Sequence, residues 1–314
     1  MCRLLGVVTR TPSTLLHAVP DELPLFTALS EEHKDGWGVA WYGQPRPVGA
    51  DASRDLHNAR DLHSECADPA SGLEVRRGTD VAHASNAYGD AVAEARGDIE
   101  IVHLRRASEG LIVSIENSHP FTQGPVAFAH NGVFHVPSAF RERVLARGAR
   151  PPHGSTDSEL YFSLILAHAR EHDWARAIQL AALDVTNWLD EFGAPYPEGL
   201  NCLVMTPEAL YAYAQSDPDQ LKPTSNWRTY DLMYRVESQR VVVTSTGYEQ
   251  PDYATLGQGE ALTIHRGALE VERRDALDGF RVAPVRLEGE AAWAAKRPDA
   301  PGAQASLAAE RLAS

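Results

Sequence analysis

The chain has 314 residues, of which 43% are hydrophobic, and a formal net charge of −14. This apolar fraction is ample for a packed core, so the composition excludes a disordered chain, and the negative charge disfavours nucleic acids and anionic membranes as partners. We expect no secretory signal and no membrane helix, which needs about 18 consecutive apolar residues. The three scattered cysteines fit neither a disulfide framework nor a zinc site, and together these features predict a soluble protein of the reducing cytoplasm.

The first part of the chain mixes strand and helix patterns. Residue periodicity and β-rich composition predict strands over 2–9, 36–42 and 99–104, a loop with a short helix within 21–33, a helix over 86–97, and an irregular polar segment over 43–80 with one short helix near 55–65.

The second part predicts two helices between two runs of strands. Asn131-Gly132 lies between the apolar runs 126–130 and 133–136, which is typical of a hairpin turn. The remaining pattern predicts helices over 157–171 and 173–192 and strands over 200–205, 209–214, 230–237, 240–245 and 260–265. This order indicates sheets covered by helices. We expect one domain over 2–285 and a helical or disordered tail over 286–314.

A cysteine directly follows the initiator methionine. Removal of Met1 leaves Cys2 with a thiol and a free α-amine on one residue. The thiolate is a strong nucleophile, and an α-amine with a pKa of about 8 is a usable base at neutral pH. Taken alone, Cys2 is more often a small apolar residue that opens a strand.

Two later motifs contain groups suited to the ends of an amino acid. Arg105 follows a predicted strand, where its guanidinium can bind a carboxylate through two N–H groups, although a solvated basic pair explains it equally. Asp157 follows Thr156, which with Glu159 fits a helix capping box. That box leaves Asp157 free at the helix start, where it can hold an ammonium group.

Two further motifs contain histidine. His119 stands before a proline and suits a base, a metal ligand or a structural hydrogen-bonding role. His130 precedes Asn131-Gly132, in which a carboxamide and a glycine N–H group can form an oxyanion hole as well as a turn. Together, the motifs supply a nucleophile with its own base, oxyanion donors, and partners for the carboxylate and the ammonium of an α-amino acid.

The order of these motifs resembles that of the class II glutamine amidotransferases, which are N-terminal-nucleophile hydrolases. The resemblance rests on Cys2, His-x-Arg-x-Ala-Ser-x-Gly, Asn-Ser-His-Pro-Phe, His-Asn-Gly and Thr-Asp-Ser-Glu. The opening Met-Cys-Arg-Leu-Leu-Gly and the run His-Lys-Asp-Gly-Trp-Gly are most similar to the stand-alone branch, which includes the ergothioneine-pathway γ-glutamyl hydrolase.

The resemblance implies an α+β fold, a four-layer αββα sandwich of two antiparallel sheets covered by helices. It also implies a role for each motif residue. The implied catalytic residues are Cys2 as nucleophile, with Asn131 and Gly132 as the oxyanion hole. The implied substrate-binding residues are Arg105 and Ser108 for the α-carboxylate, Asp157 for the α-ammonium, and Gly36 and Trp37 as pocket-lining residues. His119 is implied to be a scaffold residue.

The resemblance predicts hydrolysis of a γ-glutamyl amide through a γ-glutamyl thioester, with a small-molecule substrate and no cofactor or metal. Two alternatives stay open: a glutaminase subunit that supplies ammonia to a separate synthase chain, and a non-catalytic binding protein on the same fold. We expect too few residues after the sandwich for an ammonia-accepting domain, which favours the hydrolase. A metal enzyme built from His33, His103, His119 and His130 is disfavoured because no metal-binding spacing is present.

Overall fold

The computed structural model describes residues 2–43, 62–68, 70–108, 111–217 and 230–281. Its strands are, in chain order, β1 (Arg3–Thr14), β2 (Trp37–Tyr42), β3 (Leu62–Asp68), β4 (Leu73–Gly78), β5 (Arg96–Leu104), β6 (Phe121–Gln123), β7 (Val126–Val133), β8 (Gly199–Met205), β9 (Ala209–Tyr213), β10 (Leu232–Val236), β11 (Arg240–Ser245), β12 (Ala254–Thr255), β13 (Ala261–His265) and β14 (Val271–Arg274). Its helices are α1 (Leu15–Ala18), α2 (Glu22–Ala28), α3 (Asn86–Glu94), α4 (Ser138–Ala146), α5 (Asp157–His168) and α6 (Trp174–Glu191), with short 3-10 turns at Leu29–Glu31 and Ala82–Ala84.

The described strands form two antiparallel sheets. One has eight strands in the order β12-β10-β11-β1-β5-β2-β4-β3, and the other has six in the order β14-β13-β9-β8-β7-β6. The N-terminal strand β1 lies inside the first sheet, between β11 and β5, with Leu5 opposite Thr244 on one side and Val102 on the other. The start of the chain is therefore held on both edges.

Three apolar layers hold the sheets and helices together. Alternation along β1 sends Leu4 and Val8 into the layer between the sheets, where they meet side chains of the second sheet such as Leu203. Leu5 and Val7 face the other way, against α1, α2 and α3. A third layer lies between the second sheet and α4, α5 and α6. The four-layer αββα sandwich that the resemblance implied is confirmed.

Most of the predicted elements are present. The predicted strands over 2–9, 36–42 and 99–104, the helices over 157–171 and 173–192, and all five later strands match elements of the structure within a few residues. Helix α4 was not predicted from the sequence. The proposed domain end at 285 and the tail over 286–314 lie outside the described residues.

The irregular structure predicted over 43–80 was wrong for its second half. The strands β3 and β4 form a hairpin at the edge of the first sheet, with Leu62 opposite Gly78. The polar residues of β4 hid this strand, because their partners lie elsewhere in the fold: Arg77 donates to the carbonyl of Ser118 at 3.2 Å. Most of the short helix predicted near 55–65 falls in 44–61, outside the described residues.

The hairpin predicted at Asn131-Gly132 was also wrong. Both residues lie within β7, which pairs continuously with β8 up to Val133. The turn falls earlier, between β6 and β7 at Gly124, whose φ is 53°. Gly132 serves close packing of strands, since a Cβ atom there would lie 1.8 Å from the carbonyl oxygen of Gly199.

No described helix combines the length and the apolar character needed to cross a membrane.

Candidate active site

Cys2 directly precedes β1, with 8% of its surface exposed. Its Sγ is 3.7 Å from the carbonyl oxygen of Arg106, in the loop after β5. Its own carbonyl accepts a hydrogen bond from Arg3 Nη1 at 3.1 Å. Leu4, two residues further along the chain, faces the layer between the two sheets.

Asn131 lies on β7, in the second sheet. Alternation along β7 places it on the same face as Ala127 and Ala129, toward the first sheet. Its Nδ2 lies 3.5 Å from Ser245 Oγ, and the same oxygen accepts the N–H of Leu4 at 3.0 Å. Ser245 thus links the Asn131 carboxamide to Leu4, which is two residues after Cys2 in the chain. Gly132 is next to Asn131 on β7.

Arg105 directly follows β5, and hydrogen bonds to the Asp35-Gly36 segment and to Ile112 hold it in place. Its backbone N–H donates to the carbonyl of Gly36 at 2.8 Å, and its guanidinium donates to the carbonyls of Asp35 at 3.2 Å and Ile112 at 3.3 Å. Only 3% of the residue is exposed. Burial lowers the pKa of Arg105, and the charges of Cys2 and Asp35 oppose that shift. Arg105 therefore lies within electrostatic range of the thiol.

Asp35 is a site residue that the sequence analysis missed. Its carboxylate accepts the N–H of Ala107 at 2.8 Å, and its N–H donates to the carbonyl of Arg105 at 3.1 Å. Asp35 thus holds the loop that contains Arg105 and the carbonyl next to Cys2 Sγ. The signal was present in the His-Lys-Asp-Gly-Trp-Gly run, from which only the glycine and the tryptophan were selected.

Gly36 contributes to the site through its backbone. Its φ is 124°, a conformation that side chains rarely adopt, and a Cβ atom would lie 2.5 Å from the carbonyl oxygen of Gly78. The indole of Trp37 is fully buried on the helix-facing side of the sheet, where Nε1 donates to Asp80 Oδ1 at 2.7 Å. This side chain therefore lies on the opposite face of the sheet from Leu4, and its role as a pocket-lining residue stays a prediction.

Ser108 is half-buried, and its carbonyl accepts the N–H of Leu111 at 3.0 Å. This contact bridges residues 109–110, which lie outside the described ranges. The assisting role of Ser108 in carboxylate binding stays a prediction.

Asp157 is the first residue of α5 and is tied to the end of β7. Its Oδ2 accepts the N–H of Phe134 at 2.9 Å, and Phe134 directly follows that strand. The structure therefore places Asp157 beside the strand that contains Asn131 and Gly132. Its carboxylate is half-exposed and lies at a helix N-terminus, where its negative charge is favoured.

The capping box predicted beside Asp157 is formed only in part. Thr156 Oγ1 accepts the N–H of Glu159 at 3.1 Å, as a helix cap does. The Glu159 carboxylate turns away and accepts the N–H groups of His153 at 2.8 Å and Gly154 at 2.6 Å. It also pairs with Arg150 at 2.8 Å. Glu159 thus fixes the loop before the helix, which keeps Asp157 in place.

Comparison with known protein families identifies the family of this chain. The sequence model of the family described as glutamine amidotransferases class-II matches residues 1–272. The chain belongs to the class-II glutamine amidotransferases. The match covers the whole candidate site, from Cys2 to Ser245.

Relatives of known structure share the fold of this class-II glutamine amidotransferase. The glutamine aminotransferase class-II domain protein SPO2029 of Silicibacter pomeroyi is 22% identical, with a TM-score of 0.54, over 90% of this chain and 100% of the other. The glutamine phosphoribosylpyrophosphate amidotransferase of B. subtilis is 15% identical, with a TM-score of 0.52, over 87% of this chain and 49% of the other. Among curated sequences, the uncharacterized protein MJ1515 of Methanocaldococcus jannaschii is 29% identical over 219 residues, which are 68% of this chain and 50% of that protein. The chain thus spans about half the length of the archaeal and B. subtilis relatives.

Three buried histidines lie close to one another in this class-II amidotransferase. The ring of His119 lies 4.3 Å from that of His103 and 6.5 Å from that of His130, measured between centroids. Burial lowers the pKa of all three imidazoles, to about 3 for His103 and well below the ordinary value for His119. The rings are therefore neutral at physiological pH, and the scaffold role of His119 stays a prediction. Among the described residues, no group of three or more His, Cys, Asp or Glu side chains could hold a metal ion.

Tyr230 is a further residue, within range of the charge of Cys2, that the sequence analysis missed. Burial raises the pKa of its phenol, and the charges of Glu198 and Cys2 add to that effect. Its carbonyl accepts a hydrogen bond from Asn201, which lies opposite Asn131 in the sheet. The residue stands apart from every motif in the sequence, and no local signal identifies it.

Proposed function

We propose that this chain hydrolyses the γ-glutamyl amide bond of glutamine or of a γ-glutamyl-capped metabolite, with Cys2 of the processed chain as the nucleophile. The observation that supports this most directly is the shared hydroxyl oxygen of Ser245. It is hydrogen-bonded to the strand that begins after Cys2 and to the carboxamide of Asn131. The strand that follows the nucleophile and the proposed oxyanion donor therefore share one hydrogen-bond partner, in a family described as glutamine amidotransferases.

The proposed reaction begins when the α-amine of Cys2 accepts the thiol proton through a water molecule. The sulfur attacks the γ-carbonyl carbon, and the carbonyl oxygen becomes an oxyanion bound by Asn131 Nδ2 and the N–H of Gly132. Each good donor of this kind contributes about 3–4 kcal/mol to the transition state. The leaving amine takes a proton from the α-ammonium of Cys2, and water then hydrolyses the thioester to release the glutamyl acid and regenerate the thiol.

The proposed recognition of the glutamyl group uses the two charged residues that flank this centre. Arg105 binds the α-carboxylate with N–H groups that its bonds to Asp35 and Ile112 leave available, since a guanidinium has five donors. Ser108 assists, and Asp157 binds the α-ammonium from the start of α5, beside the end of β7. Gly36 shapes this side of the pocket through its backbone, while Trp37 supports it from the core.

A second candidate function is the supply of ammonia to a separate synthase chain. Ile112, whose carbonyl accepts from Arg105, is 72% exposed, and Val113 next to it is 44% exposed. Exposed apolar side chains next to a residue that binds Arg105 are typical of an interaction surface. Turnover that rises severalfold when a candidate synthase is added, and falls back in Ile112→Ser, supports this function. Turnover independent of any partner supports the hydrolase.

The decisive experiment combines intact mass with turnover. We expect the purified chain to lack Met1, and Cys2→Ala to abolish hydrolysis of glutamine and γ-glutamyl p-nitroanilide. Cys202→Ala is the matched control, because Cys202 is a buried free thiol in the helix-facing core. Normal turnover by Cys2→Ala refutes the proposal. A chain that retains Met1 and shows no turnover supports the non-catalytic binding protein instead.

A further inference from the structure

One hydroxyl group joins the strand of the nucleophile to the oxyanion donor. Ser245 ends β11 and is fully buried. Its Oγ accepts the N–H of Leu4 at 3.0 Å and is 3.5 Å from Asn131 Nδ2. Leu4 belongs to the first sheet and Asn131 to the second, so this oxygen bridges the two sheets at the level of Cys2.

The position of this hydroxyl is determined by the backbone around it. Ser245 lies opposite Leu232 in the pairing of β10 with β11, and its carbonyl accepts Gln250 Nε2 at 2.9 Å. The strand β1 pairs with β11 only from Leu5 onward, where Leu5 faces Thr244. Beyond that pair, the Ser245 side chain takes over as the acceptor for β1. The hydroxyl oxygen is therefore held next to the backbone of Leu4, which is two residues after the nucleophile in the chain.

The Asn131 carboxamide has an unused acceptor in this position. Its Oδ1 is buried and has no hydrogen-bond partner among the described residues. Burial of a carbonyl oxygen without a donor is unfavourable. Ser245 still has its own hydroxyl proton to donate, because both of its bonds described above are accepted ones. A half-turn of the carboxamide about its terminal torsion brings Oδ1 to that proton.

We propose that Ser245 is a positioning residue for the oxyanion hole: its hydroxyl donates to Asn131 Oδ1 and so directs Asn131 Nδ2 toward the reacting carbonyl. This inference rests on the function proposed above. In this arrangement Leu4 N–H orients the hydroxyl, the hydroxyl orients the carboxamide, and Nδ2 occupies the place that the unpartnered oxygen now holds. Ser245 itself does not touch the substrate.

The predicted effect falls on kcat more than on KM. An oxyanion donor acts mainly in the transition state, when negative charge develops on the oxygen, so its misdirection slows the chemical step and leaves the binding of the glutamyl group nearly unchanged. A purely structural role for Ser245 instead lowers the amount of folded enzyme, with kcat per folded molecule unchanged.

The test compares Ser245→Thr with Ser245→Val, two side chains of the same shape that differ by the hydroxyl. We expect kcat for γ-glutamyl p-nitroanilide to be at least tenfold higher in Ser245→Thr than in Ser245→Val, with KM values within threefold. Thr244→Val is the matched control, because that hydroxyl bonds Tyr248 and the backbone carbonyl of Ser245 but not the Ser245 hydroxyl or Asn131. Urea unfolding of each variant gives the folded fraction to which kcat is referred.

A double-mutant cycle with Asn131→Ala decides whether Ser245 acts through Asn131. We expect Ser245→Val to change kcat less than twofold in the Asn131→Ala background. Equal kcat values for Ser245→Thr and Ser245→Val overturn the proposal, and so does a loss of the same size with and without the Asn131 carboxamide. Activity in Cys2→Ala overturns the proposed function instead, so the two failures are distinguishable. If Ser245→Val does not fold, Ser245→Ala replaces it against wild type in the same cycle.

Discussion

The carbonyl oxygen of His119 lies so close to Gly38 that a Cβ atom at residue 38 would be 2.0 Å from it. The same Cβ would be 2.7 Å from Cδ of Pro120. The close approach of Gly38 to the His119-Pro120 segment explains the second glycine of the Gly-Trp-Gly run. It also places the His119-Pro120 segment directly against β2.

Gly38→Ala should therefore destabilise the protein. Overpacking against a backbone atom that cannot move freely costs about 3 kcal/mol at the upper end of its usual range. The measurement is the free energy of unfolding in urea. Gly89→Ala is the control, because Gly89 is exposed in α3 and a methyl group there would meet no atom within 4 Å, so this variant should gain about 0.5–1 kcal/mol. Equal stability of Gly38→Ala and wild type contradicts the close contact.

Arg105→Lys should raise KM for glutamine by about 10- to 100-fold, the equivalent of one or two charged hydrogen bonds. A lysine ammonium cannot bond the carbonyls of Asp35 and Ile112 and also present two parallel N–H groups to a carboxylate. Steady-state kinetics with glutamine measures the effect. Arg96→Lys, an exposed arginine at the start of the same strand, should leave KM unchanged. Unchanged KM in Arg105→Lys refutes the carboxylate role.

Asp157→Asn should remove the preference for substrates with an α-amine. An asparagine oxygen still accepts the N–H of Phe134, so the loop keeps its anchor while the negative charge is lost. We expect kcat/KM for glutamine to fall by about 10- to 100-fold. The value for glutaramate, which lacks the α-amine, should change little. A control at the N-cap of α6, Asp173→Asn, should affect neither substrate. If both substrates lose activity equally in Asp157→Asn, the residue supports the fold and does not bind the ammonium.

Acid should destabilise the folded protein through the buried histidines. Burial lowers the pKa of His103, His119 and His130 below their unfolded value of about 6.5, so the unfolded chain takes up protons first as the pH falls. Stability is thus fully present above a pH of about 6.5. It decreases below that by up to about 1.4 kcal/mol per pH unit for each such group, down to a pH of about 3 for His103.

The pH effect is measured as the difference between wild type and His119→Phe in urea unfolding from pH 7 to pH 5. The difference is needed because burial raises the pKa of Glu100, which changes stability in the opposite direction and cancels in the comparison. We expect the advantage of wild type over His119→Phe to shrink as the pH falls. A constant difference across this range shows that His119 is not held neutral by the fold.

Elements with a local apolar pattern were predictable from the sequence, whereas elements that depend on distant contacts were not. Helices α5 and α6 and the strands around Cys2 and Val102 were predictable, because apolar periodicity records which side of each element is buried. Asn131-Gly132 was misassigned because this dipeptide strongly prefers hairpin turns. In this fold Gly132 lies within a strand, where the absence of a side chain leaves room for the carbonyl of Gly199. The hairpin of β3 and β4 was missed because the partner of Arg77 lies on a distant loop.

The candidate site shows the same division. Cys2, Arg105, Asn131 and Asp157 stand in short motifs whose residue types suit one reaction, so the sequence by itself determined the chemistry to look for and the family. Which of these groups approach one another, and which residues support them, was decided only by the tertiary structure. Asp35 stands in a recognised motif whose glycine and tryptophan alone were selected, whereas Tyr230 and Ser245 belong to no recognisable pattern of their own. A hydrogen bond such as that of Ser245 depends on strand register and sheet packing and leaves no periodic signal along the chain.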